Sequence, residues 1–123
     1  FYPTLLAAAG LPLRPAQHLD GVDLTPLMMG GVLERKALYW HYPHYHAGGD
    51  GPYSAIRSGK WRLVEFHEDK HVELYNLETD IGEQTDLSKR SPQQAQALYA
   101  KLQAWRNSVS AQMPTLNPAF SSP

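Results

Sequence analysis

The clearest hydrophobic rhythm lies near the end of the chain. Ala95, Leu98, Leu102, Trp105 and Val109 recur at helical spacing, while Gln96, Lys101, Gln103 and Arg106 fall off that stripe. The pattern predicts one long amphipathic helix near 92–111 that packs by a single face. Its start carries Ser91-Pro92-Gln93-Gln94: a hydroxyl for the N-cap, a proline at the first helical position, and a glutamine placed to complete a capping box. Met113-Pro114 ends it, and the tail to Pro123 reads as irregular.

Upstream the period changes to two. Ala37 to Tyr42 reads as a strand that Pro43 terminates, because proline brings no N–H to the ladder. Tyr53 to Ser58 and Lys60 to Phe66 flank Gly59 as a hairpin, and a turn over His67 to Lys70 leads into a further strand, His71 to Asn76. His44 to Pro52, rich in glycine, reads as a mobile surface loop. The strands look apolar on both sides: Trp61 and Leu63 oppose Val64 and Phe66, and Val72 and Leu74 oppose Tyr75 and Leu77. One face suits the long helix. The other suits either a body outside this chain or the N-terminal helix, and the pattern leaves both open.

The first third is helical only in short pieces. Phe1 to Ala9 is a run of helix formers closed by Gly10, and Leu24 to Met29 is a single helical turn stopped by Gly30-Gly31. An irregular stretch with Pro12, Pro15 and Asp20-Gly21 joins them. The fold class expected is α+β: a small antiparallel sheet of about four strands against a long C-terminal helix.

Composition narrows the function. Eleven Lys and Arg against twelve Asp and Glu give a net charge of -1, so no broad electrostatic footprint for nucleic acid or for an anionic membrane exists. No apolar run reaches the roughly 20 residues of a membrane-spanning helix. The absence of cysteine removes disulfides, thiolate metal sites and Cys nucleophiles together. The chain opens at Phe1 rather than Met, and the natural N-terminus is expected elsewhere.

In order, Phe1-Tyr2-Pro3-Thr4-Leu5-Leu6, Leu19 to Leu27, Leu38-Tyr39-Trp40-His41-Tyr42-Pro43-His44-Tyr45, Tyr53 to Leu63, Glu73 to Asp80 and Gly82 to Leu87 resemble successive blocks of the C-terminal subdomain of sulfatases of the arylsulfatase type. Each block alone is weak, and their order over nearly the whole chain is strong. Where that family usually has Asp-Pro-Gly-Glu, this chain has Asp80-Ile81-Gly82-Glu83. The resemblance implies that residues 1–36 lead out of a catalytic domain and that 37–123 form the C-terminal subdomain. The parent fold it implies is α/β and alkaline-phosphatase-like, hydrolysing sulfate monoesters with a formylglycine nucleophile and a calcium ion. Neither can be placed here, since the chain holds no Cys/Ser-x-Pro-x-Arg motif and no metal-binding Asp-Asn pair. The chain alone is therefore expected to be inactive. The partners implied are the N-terminal catalytic domain and a sulfated substrate such as a glycan, and the location implied is the periplasm or outside the cell. An isolated piece is expected to expose an apolar patch and self-associate. The alternative is a non-catalytic α+β module that binds glycans or another protein.

Candidate chemistry centres on His41, His44 and His46 among Tyr42, Pro43 and Tyr45. In the sulfatase reading, His41, His44, Tyr45 and His46 border the pocket and bond sulfate or sugar oxygens. The equally weighted alternative is that they fill the seam against the catalytic domain. Zinc held by the three histidines is disfavoured, because Pro43 interrupts the geometry. Arg57, with Lys60 and Arg62, is a candidate for a sulfated group, although such residues more often solvate a hairpin or pair with carboxylates such as Glu65 or Glu73. His67 and His71 read as solvated turn residues.

Overall fold

A computed structural model describes residues 1–45, 49, 51–115 and 117. The element order is α1 (Tyr2–Ala8), α2 (Thr25–Met28), β1 (Leu38–Tyr42), β2 (Tyr53–Ser58), β3 (Trp61–Phe66), β4 (Val72–Asn76) and α3 (Pro92–Ser108). Two compact units result, Phe1–Arg35 and Lys36–Pro123.

In the first unit, Pro3 sits in the opening turn of α1, and Gly10 closes the helix at φ 66°. The Thr4 hydroxyl accepts the Leu24 N–H at 2.9 Å, which ties α1 to the entry of α2. Asp23 takes both the backbone N–H and the hydroxyl of Thr25. Leu19, Met28, Met29 and Val32 stand largely exposed.

In the second unit the strands form one antiparallel sheet in the order β1-β2-β3-β4. Gly59, at φ 59°, makes the two-residue turn that brings Ser58 opposite Trp61. The outer edge of β4 is occupied: Asp86 Oδ1 accepts the Leu74 N–H, and the Leu87 N–H donates to the Leu74 carbonyl. That pairing blunts one sheet edge.

Packing of α3 on the sheet buries Ile56, Leu63 and Leu74 against Ala95, Leu98 and Leu102. Tyr39 of β1 stacks on Trp105 with ring centroids 4.7 Å apart and planes 7° from parallel. On the opposite face Ala55 and Val64 are also buried, and a cleft of about 320 Å³ is lined by Tyr53, Arg62, Phe66, Glu73, Tyr75 and Glu83 among others. Apolar positions thus occupy both faces, as the sequence pattern implies.

Several details differ from the sequence reading. Arg106, expected on the polar side of the last helix, is buried, and Val109 is 51% exposed. Four residues on from Leu102, the helix points Arg106 rather than Val109 at the sheet, and the helix has already ended at Ser108 with Ser110 at φ 51°. The Ser91 hydroxyl makes no capping bond, because its backbone, at φ -131° and ψ 59°, enters from a turn in which its own N–H donates to the Leu87 carbonyl. Gly51 and Pro52, expected in a surface loop, are buried; residues 46–48 and 50 of that loop lie outside the described residues. No described helix is long and apolar enough to cross a membrane.

Candidate functional site

The strand register decides what the aromatic and histidine-rich segment can do. Alternation along β1 sends Tyr39 and His41 to the α3 face and Trp40 and Tyr42 to the other. His41 pairs in register with Ser54, and Ser54 with Glu65, so these three polar residues form one row beneath α3. His41 Nδ1 lies 2.7 Å from the Ser54 hydroxyl, and its Nε2 lies 2.7 Å from the Gln112 carbonyl. Both ring nitrogens are committed inside the protein.

Past Pro43 the chain turns outward. His44 is exposed and packs edge-on against Tyr42, with ring centroids 5.6 Å apart. Tyr45 is 71% exposed, and its hydroxyl donates to Glu68 at 2.7 Å, a bond that raises the phenol pKa. Gly51, at φ 90°, permits this clasp: a Cβ there would come within 3.2 Å of the Glu68 carboxylate. Arg57 is exposed on the face away from α3, in register with Arg62. The structure therefore leaves His44 and Tyr45 exposed past the end of β1, places His41 on the helix side, and puts Arg57 on the face away from α3. His46 lies outside the described residues.

The basic residues of the hairpin pair differently from expectation. Lys60 bonds Glu78 and Arg62 bonds Glu83, because the turns carrying those carboxylates fold back along the hairpin. Glu65 is instead taken by Arg106 at 2.5 Å, with Tyr99 donating to its other oxygen at 3.0 Å. Arg106 also reaches the Ser54 hydroxyl at 3.3 Å.

His67 is not a solvated turn residue. Its Nε2 lies 3.0 Å from the same Ser54 hydroxyl, and its ring meets that of His41 edge-on at 5.6 Å. Burial holds its pKa below the ordinary histidine value; the Glu65 charge opposes that, and the Arg106 and His41 charges reinforce it. His71, by contrast, is half exposed and paired to Asp69, and that hydrogen bond raises its pKa. Sequence reasoning missed Ser54, Glu65, His67 and Arg106 as a group. The signal available was parity: Ser54 and Glu65 occupy inward positions among apolar neighbours, where a polar side chain needs a partner.

Chemically, His44 and Tyr45 can offer an imidazole and a phenol to oxygen atoms of a ligand at the surface. Among the described residues no group of three or more His, Cys, Asp or Glu could hold a metal ion.

Residues 1–112 match the family described as N-sulphoglucosamine sulphohydrolase, C-terminal. A sulfatase of Formosa agariphila is 33% identical over 120 residues, covering 85% of this chain and 22% of that protein. Human arylsulfatase A is 36% identical over 107 residues, covering 69% of this chain and 20% of that protein. Among solved structures, that of Ps i-CgsB in complex with k-i-k-neocarrahexaose superposes with a TM-score of 0.67 at 26% identity, over 93% of this chain and 24% of that one. The chain thus spans about a fifth of the length of these curated relatives. Block order, fold and similarity agree, and the chain belongs to the sulfatase C-terminal family, that of the N-sulphoglucosamine sulphohydrolase C-terminal domain.

Proposed function

We propose that this chain serves as the C-terminal subdomain of an enzyme hydrolysing sulfate monoesters, buttressing a catalytic domain and bordering its substrate pocket with His44 and Tyr45. The observation that carries the reading is the family match, which runs from residue 1 to residue 112. His44 and Tyr45 support the pocket role, since both are exposed and Tyr45 is held in place by Glu68. Arg57 and His46 remain candidates for further contacts to substrate, whereas His41 belongs to the seam beneath α3. A sulfated glycan is the substrate class favoured, in keeping with the N-sulphoglucosamine of the family name and the oligosaccharide bound to Ps i-CgsB.

The formylglycine and calcium of this reading have no counterpart among the described residues, which offer neither a cysteine nor a cation site. Both are assigned to the catalytic domain, as is the surface that covers the exposed Leu19, Met28, Met29 and Val32. The same reading expects an isolated piece to self-associate, which sedimentation at several concentrations would detect. It places the protein in the periplasm or outside the cell.

The test is sulfate release by the whole protein from an aryl sulfate and from sulfated oligosaccharides. Turnover that is lost when residues 37–123 are deleted supports the proposal. A coding sequence without Cys/Ser-x-Pro-x-Arg, together with glycan binding by this chain alone and no sulfate release, would favour the non-catalytic binding module instead.

A further inference from the structure

We infer that the outer edge of β1 is a docking edge for a second copy of this chain: two β1 strands pair antiparallel about a twofold axis at Trp40 and join the two sheets into one.

The register fixes where each backbone amide points. Gly59 and Lys60 form a two-residue turn, so Ser58 and Trp61 are a hydrogen-bonded pair, and the bonding alternates from there. Ser54, Ile56 and Ser58 turn their amides toward β3, while Tyr53, Ala55 and Arg57 turn theirs toward β1. Leu38, Trp40 and Tyr42 are thereby bonded to β2, which leaves the N–H and C=O of Tyr39 and His41 pointing away from the sheet. Carried across β3 to β4, the same parity points the Leu74 amide outward, and there Asp86 and Leu87 take both of its groups. The β1 edge has no such cover. Among the described residues it pairs with β2 alone, and nothing bonds the outward groups of Tyr39 and His41.

The strand also lacks the devices that keep an edge single. Leu38–Tyr42 holds no Lys, Arg, Asp, Glu or Pro, and its five-residue register runs without a bulge. Its outward groups complement a copy of themselves. A twofold axis at Trp40 sets Tyr39 opposite the partner's His41, and the two such pairs each exchange two N–H···O bonds. Trp40, 43% exposed on the face away from α3, then lies opposite the partner's Trp40 at a non-hydrogen-bonded position, where side chains approach most closely. With no formal charge along the strand, nothing repels across the axis. Pro43, which has no N–H, ends the pairing. A contact this short falls below the roughly 1,200 Å² of a stable complex, so the dimer is a weak one. The inference is independent of what the whole protein hydrolyses.

The experiment uses the whole protein from about 1 µM to 1 mM, combining sedimentation with hydrogen exchange resolved to single amides. A monomer–dimer equilibrium is expected, and the Tyr39 and His41 amides should exchange fast in dilute samples and slowly in concentrated ones. The Leu38 and Trp40 amides, bonded to β2, should stay slow throughout. Trp40→Lys puts like charges opposite each other on the axis and should weaken the dimer at least about tenfold. The wild-type exchange decides the matter even if that variant misfolds. A protein that stays monomeric overturns the inference: slow Tyr39 and His41 amides would then mean that another segment of the same protein covers the edge, and fast ones that the edge stays bare. A dimer in which these two amides ignore concentration, or which Trp40→Lys leaves as tight, overturns it as well, because its interface lies elsewhere.

Discussion

Arg106 of α3 and Glu65 of β3 meet at 2.5 Å with side chains 9% and 5% exposed, an ion pair set inside the contact between helix and sheet. Ser54 and Tyr99 supply further hydrogen bonds, so neither charge is left bare. Removing one partner should cost far more than removing both. Arg106→Met is expected to lower stability by about 3–5 kcal/mol, because Glu65 is left buried and uncompensated. Adding Glu65→Leu to it should restore most of the loss. Denaturant midpoints for the two single variants and the double variant measure this, and a single-variant loss under about 1 kcal/mol would mean that water reaches the pair.

His41 and His44 are three residues apart, yet they should respond to mutation in opposite ways. His41→Ala removes its hydrogen bonds to the Ser54 hydroxyl and to the Gln112 carbonyl and is expected to cost about 1–3 kcal/mol. His44 is exposed, and His44→Ala should change stability by no more than about 0.5 kcal/mol. If the proposed function holds, His44→Ala in the whole protein should instead raise KM or lower kcat for the sulfate ester. Unchanged kinetics with a large fall in melting temperature would assign His44 to packing and remove it from the pocket.

The contrast between these two histidines shows what the sequence can and cannot carry. Period-two alternation, the Gly59 turn and the 3.6-residue stripe are local signals, and they are enough for four strands and α3 in order. They also imply that both sheet faces are apolar. The polar row is not local: His41, Ser54 and Glu65 adjoin only once the register of three strands is known, and Arg106 closes the group from 41 residues beyond Glu65. Arg106 was hidden because charge suggests a solvated face, whereas its spacing of four from Leu102 already placed it toward the sheet. His67 was hidden for a related reason, since its turn looks polar and only Ser54 across the sheet draws it inward.

The start of α3 offers a smaller test. Ser91-Pro92-Gln93-Gln94 has the composition of a capping box, but the Ser91 hydroxyl bonds no N–H of the first turn. A functioning N-cap serine is worth about 1 kcal/mol. Ser91→Ala should therefore cost less than about 0.5 kcal/mol, with Pro92 at the first position sufficient to start the helix. Thermal or urea unfolding would read the difference, and a full loss of about 1 kcal/mol would show that the hydroxyl caps the helix in solution.

His67 and His71 should tilt the pH dependence of stability in opposite senses. Burial lowers the His67 pKa in the folded chain, so the unfolded chain binds more protons below ~6.5. Its contribution is fully present above that value and is lost as the pH falls through the folded pKa. The hydrogen bond to Asp69 raises the His71 pKa, with burial opposing and the Asp69 and Glu73 charges assisting. The His71 contribution is present below ~6.5 and is lost as the pH rises through its folded value. Urea midpoints from about pH 5 to 8 should accordingly flatten on the acid side in His67→Gln and on the alkaline side in His71→Gln. Salt separates the causes: the exposed His71–Asp69 pair is screened, so its slope should shrink at high ionic strength, while the burial-driven slope of His67 should persist. A His67→Gln profile that still falls on the acid side as steeply as the wild type would show that His67 does not resist protonation in the folded chain.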